Sequence, residues 1–117
     1  MAEHVSLDIS QDADVTIISV RSPRIPVEAS DTFEEKVVQT VRRLDEPKVL
    51  LDFAGVQFLS SAVLGKLIKL NGAVNDRSGQ LIISSLSDKI AEVFHVTNLD
   101  RLFRICDTKD KALKAFD

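Results

Sequence analysis

Two adjacent hydroxyls, Ser60 and Ser61, precede a segment in which apolar residues recur at Leu64, Leu67 and Ile68, then at Val74. That i, i+3, i+4 spacing is the stripe of a helix with one buried face. The pair therefore stands where a loop becomes a helix. A hydroxyl there has two uses. As an N-cap it accepts a hydrogen bond from an orphan backbone N–H, worth about 1 kcal/mol. It can also take phosphate, which brings about -1.5 to -2 charges near neutral pH, and a helix N-terminus favours an anion. The two uses are compatible, and residue types alone do not choose between them.

A third use, nucleophilic attack, needs a base. The histidines are His4, near the N-terminus, and His95, at the end of a helix far along the chain. Around Ser61 the sequence reads LSSAV, with no G-x-S-x-G elbow. Hydrolase chemistry lacks its parts, so no catalytic residue is expected. Asp52 ends the apolar run Val49-Leu50-Leu51, where a receiver domain keeps its phosphoaccepting aspartate. A receiver also needs an acidic pair to hold Mg²⁺. Asp12 and Asp14 belong to an ordinary turn instead, and a strand-end carboxylate bonded to backbone is the better account of Asp52.

The remaining candidates carry less. Cys106 falls on an expected strand as a small core residue. No Cys/His cluster has zinc spacing, and the four glycines form no phosphate loop. The protein is expected to bind no metal, nucleotide or flavin. Lys66 and Lys69 read as a solvated helix face. Gly65, inside that helix, costs about 1 kcal/mol against alanine; close approach of another backbone, from this chain or a partner, would account for it.

The elements that position these residues follow from periodicity. Val5, Leu7 and Ile9 alternate with polar residues as in a half-exposed strand. A polar turn, Gln11 to Asp14, leads to a β-branched strand over 15–20, so short a link favouring an antiparallel pair. Ser22 to Ala29, with Pro23 and Pro26, reads as a loop. A helix starts at Ser30-Asp31, with Asp31 and Glu34 at capping-box spacing; Phe33, Val37, Val38, Val41 and Leu44 form its buried stripe. The run 49–51 and Leu81-Ile82-Ile83 read as strands buried on both faces.

Ser87 caps a short helix with Ile90, Val93 and Phe94 on its core face, ending near Asn98. A last strand covers 102–106, and Asp107 or Thr108 caps a terminal helix burying Ala112, Leu113 and Phe116. The order β-β-α-β-α-β-α-β-α predicts an α/β fold with a mostly parallel sheet, an antiparallel N-terminal edge strand and helices covering the sheet.

Composition bounds the function. The 117 residues suit one domain, 1–117, and the 44% hydrophobic fraction supports one core, aliphatic with six phenylalanines because tryptophan and tyrosine are absent. A net charge of -3 argues against nucleic acid as a partner. A single cysteine gives no internal disulfide and no sign of an oxidising compartment. No apolar run nears the ~20 residues that span a bilayer, and MAEHVSLDIS has neither region of a signal peptide. A cytoplasmic protein with no membrane partner is expected.

The strand, short loop, FLSSAVLGKL and following helix resemble the STAS domain of bacterial anti-sigma factor antagonists. The ending GQLIISSLSDKIAEVFHVTNLDRLFRICDTKDKAL is similar to that family almost throughout. The similarity spans Val5 to Phe116, tighter in the C-terminal half. The resemblance implies a non-enzymatic regulator that binds an anti-sigma factor with serine kinase activity. That kinase phosphorylates a serine opening the second helix, and a PP2C-like phosphatase resets it.

The family pattern is roughly Asp-Ser-Ser/Thr-Gly-Leu-Gly. Aligned on Leu64 and Gly65, the acceptor becomes Ser61, the aspartate Ser60, the next hydroxyl Ala62 and the glycine Val63. An acidic turn after the second strand is replaced by Ser22-Pro23-Arg24-Ile25-Pro26. The implied partner surface is Arg24 with Ser60, Ser61, Ala62 and Val63. The alternative is a STAS-type scaffold or subunit of a signalling complex with no phospho-switch. Ser61 speaks for the first reading, and the replaced aspartate and glycine for the second.

Overall fold

The computed structural model describes residues 5–117; His4 lies outside them. Strands β1 (Leu7–Asp12) and β2 (Val15–Val20) form an antiparallel hairpin in register from Leu7↔Val20 to Asp12↔Val15. Then follow β3 (Arg24–Ile25), a 3-10 turn (Val27–Ala29) and α1 (Ser30–Arg42), β4 (Lys48–Asp52), β5 (Phe58–Leu59) and α2 (Ser61–Asp76). The chain continues with β6 (Gln80–Ser84), α3 (Asp88–Val96), α4 (Leu99–Leu102), β7 (Arg104–Cys106) and α5 (Lys109–Ala115). The main sheet has the order β1-β2-β4-β6-β7. All its pairs except β1·β2 are parallel, so the expected α/β arrangement with an antiparallel edge is what the chain adopts.

Alternation within the buried strands divides the core. Val49, Leu51, Phe53, Leu81 and Ile83 meet Phe33, Val37 and Val41 of α1, Val63, Leu67 and Val74 of α2, and Ile90 and Phe94 of α3. Leu50, Ile82, Val15 and Ile17 face the other way, under Ala112 of α5 with Leu113 and Phe116 packed beside it. Two covered faces explain why β4 and β6 read as unbroken apolar runs. Gly79 sets the start of β6: a Cβ there would lie 2.3 Å from the Pro47 carbonyl oxygen.

Several expectations need correction. Ser22 to Ala29 is not only loop, because it contains β3 and the 3-10 turn. That turn runs directly into α1, leaving Ala29 in helical geometry (φ -98°, ψ -2°) with no side-chain cap. The Asp31–Glu34 capping box therefore does not form; Ser30 Oγ donates to the Val27 carbonyl at 2.8 Å. The last strand begins at Arg104 rather than 102, since Asn98 takes a left-handed conformation (φ 62°) and opens α4. Val93 is exposed rather than core. A methyl group added at Gly65 would meet open space, so no part of the described chain crowds that glycine.

Candidate functional site

The two serines divide the roles that sequence left open. Ser60 is the N-cap of α2, extended at φ -75° and ψ 161°, and its Oγ accepts from the Val63 N–H at 3.3 Å. Ser61 is the first helical residue and is exposed. Among the described residues no hydrogen bond engages its hydroxyl. Val63 is buried and Ser60 and Ala62 half-buried, so Ser61 carries the exposed hydroxyl of this turn.

The position of the turn is fixed from the Pro23–Pro26 segment. Strand β3 pairs in parallel with β5, Arg24 opposite Phe58 and Ile25 opposite Leu59. The Pro23 carbonyl accepts from Gln57 N–H at 2.7 Å and Phe58 N–H at 3.2 Å, and the Ile25 carbonyl accepts from Ser60 N–H at 3.0 Å. Proline lacks a donor, yet its carbonyl is free to serve, and a segment with two prolines still zips onto its neighbour. Buried Ile25 anchors the strand. Exposed Arg24 lies over the Phe58 ring, its guanidinium carbon 4.6 Å from the centroid. The strand that carries Arg24 is thus bonded directly to the segment that leads into Ser60 and Ser61.

The other candidates take structural places. Asp52 is nearly buried and its Oδ1 accepts from Ala54 N–H at 3.3 Å and Ser84 Oγ at 3.2 Å. Asp14 pairs with Lys48 at the opposite end of β4, far from Asp52 along the strand. Cys106 is half-buried on β7. His95 bonds Asp100 and faces no serine. Among the described residues no group of three or more His, Cys, Asp and Glu side chains could hold a metal.

Lys66 corrects the reading of a solvated face. Its Nζ lies 3.0 Å from Asp31 Oδ1 and 3.2 Å from Glu34 Oε1, tying α2 to the first turn of α1. The hydrogen bonds to Asp31 and then Glu34 raise its pKa, outweighing desolvation. The Asp31–Glu34 spacing is legible in the sequence; its target across the helix pair is not. Nor is the stacking of Arg24 on Phe58, for which the only sequence signal is a cation and an aromatic in two loops that precede neighbouring elements.

The STAS domain family model matches residues 6–112. The chain belongs to the STAS family. A protein of Thermotoga neapolitana named as a candidate anti-sigma factor antagonist is 26% identical over 98 residues, 84% of this chain and 87% of that one. The crystal structure of an anti-sigma factor antagonist from Mycobacterium paratuberculosis superposes with a TM-score of 0.84 at 24% identity, covering 97% of this chain and 94% of that one. The anti-sigma factor antagonist SpoIIAA in its unphosphorylated form gives 0.75 at 13% identity, over 93% and 94% of the chains. These structural likenesses show that the chain has the fold of those anti-sigma factor antagonists. Among the described residues no helix is long and apolar enough to cross a membrane.

Proposed function

We propose that the protein is a cytoplasmic regulator that binds an anti-sigma factor with serine kinase activity through Arg24 and the Ser60–Ala62 turn, with Val63 buried beneath it, and that phosphorylation of Ser61 releases it. The observation that carries this reading is the exposed Ser61 hydroxyl at the start of a 16-residue helix whose capping bond is already made by Ser60. Phosphate on Ser61 leaves that cap intact and sits at the end of α2 that favours an anion. The fold then tolerates the charge while the partner surface does not: an added charge at an interface must be desolvated or repelled, which costs several kcal/mol. A PP2C-like phosphatase would restore the hydroxyl. No catalytic role is assigned to the chain itself.

The test supplies an anti-sigma kinase from the same cell, with ATP. Mass spectrometry is expected to show one added phosphate, lost in Ser61→Ala, and Ser61→Asp is expected to lose most partner affinity while Ser61→Ala keeps it. Ser60 in place of the family aspartate, with Val63 buried in place of its glycine, favours a second reading as a scaffold without a switch. Phosphate only on Ser60, or none, would favour that second reading.

A further inference from the structure

We propose that the cavity between β5, α2 and α3 receives an apolar side chain of the partner protein flanked by a carboxylate, selected by Lys89 and Arg24. This rests on the reading of the chain as a partner-binding regulator and names the chemistry of that partner's contact.

The cavity has a volume of about 180 Å³, below the roughly 300–1,000 Å³ of sites for cofactor-sized ligands, and suits a single side chain. Phe58, Leu64, Ile90 and Val93 make it apolar. Phe58 is 37% and Val93 38% exposed, and Ile68, one turn beyond Leu64 on α2, is 43% exposed. Phe58 and Val93 thus leave the cavity open to a side chain from outside.

Charge identifies the occupant. Lys89 is the one charged residue lining the cavity. Arg24 does not line the cavity but lies across the Phe58 ring that does, so a second cation stands next to it. Among the described residues neither forms an ion pair. Asp88 and Glu92, their nearest acidic neighbours on α3, do not line the cavity. A carboxylate beside the inserted side chain would meet two solvent-exposed cations, while a basic segment would be repelled. A second copy of this chain is disfavoured, because an isologous interface sets each patch against itself and would bring like cations together.

The same geometry gives the switch its sign. Ser61 follows β5 by two residues, so phosphate there adds negative charge to the turn that leaves β5. It competes for Arg24 and repels the partner's carboxylate, and both effects weaken the complex.

The experiment titrates isotope-labelled full-length protein with two capped tetrapeptides, Glu-Leu-Phe-Glu and Lys-Leu-Phe-Lys, by NMR at millimolar concentration. The acidic peptide is expected to shift the amides of Phe58, Leu64, Lys89 and Val93 and to bind about tenfold more tightly than the basic one, a difference expected of charge complementarity. Lys89→Glu, alone and with Arg24→Glu, should reverse that order; the single variant, on an exposed helix position, answers the question should the double variant fail to fold. Equal binding, preference for the basic peptide, shifts elsewhere or no binding by either overturns the proposal. So does dimerisation in sedimentation that Val93→Asp abolishes, which would assign the cavity to a second copy. No kinase is present in this experiment, so failure of Ser61 phosphorylation leaves its result unaffected. Phosphorylation of Ser61 with a cavity blind to the acidic peptide would keep the regulatory reading and remove this one.

Discussion

A serine's contribution depends on the backbone amide it can reach. Ser60 Oγ reaches Val63 N–H, whereas Ser61 reaches none and faces water. The variants Ser60→Ala and Ser61→Ala should therefore separate in thermal melts. Loss of the Ser60 cap is expected to cost about 1 kcal/mol, a few degrees in melting temperature for a domain of this size. Ser61→Ala should leave melting unchanged, and Ser61→Asp should move it by under about 1 kcal/mol because an anion suits the helix end. A large drop for Ser61→Ala with none for Ser60→Ala would reverse the assignment. Sequence places the pair at a helix start but does not say which serine is the cap. That choice is made by a tertiary contact, the Ile25 carbonyl accepting from Ser60 N–H, and no local pattern encodes it.

Elements are legible in proportion to their length. The stripes of α1 and α2 and the runs of β4 and β6 announce themselves because each repeats its period several times. Strands β3 and β5, two residues each, are too short to show a period, although they place the site. At the α3–α4 junction the residues suggest only a simple helix end at Asn98. There His95 Nδ1 lies 2.9 Å from Asp100 Oδ2. The hydrogen bond to Asp100, then its charge, with Glu92 adding to them, raise the His95 pKa above the usual 6.5. A raised folded-state pKa means stability that is fully present below about pH 6.5 and lost as pH rises through the folded value. Asp100→Asn is therefore expected to lower the melting temperature at pH 5.5 and to have little effect at pH 8. The low-pH difference should shrink in 1 M salt, since the pair is exposed and salt screens it. A difference independent of pH would show that Asp100 acts through packing of α4 alone.

The whole molecule is asymmetric in a way that separates stability from recognition. Helices α1, α2 and α3, with Leu99 of α4 packed beside them, cover one face of the sheet, and the serine turn and its neighbouring cavity belong to that layer. The other face is covered by α5, which contributes fully buried Ala112 against Val15, Ile17, Leu50 and Ile82. The alternation of strands and helices makes the parallel sheet legible, and the continuous apolar runs require both faces to be covered. Which helix covers which face is not legible, because a right-handed crossover is set by where strands sit in the sheet rather than by the helix's own residues. Ala112→Asp tests the asymmetry. It places a carboxylate among aliphatic side chains with no partner, a cost of several kcal/mol out of a total of roughly 5–15 kcal/mol. If α5 belongs to one cooperative unit with the sheet, urea unfolding should remain a single transition. Its midpoint should fall by about 1–2 M, with the slope unchanged. Lys114→Asp, exposed on the same helix, should shift it little. Below its transition, the Ala112→Asp protein is expected to bind partner as wild type does, because the Ser61 surface lies on the opposite layer. A loss of affinity without a loss of stability would place α5 in the interface instead.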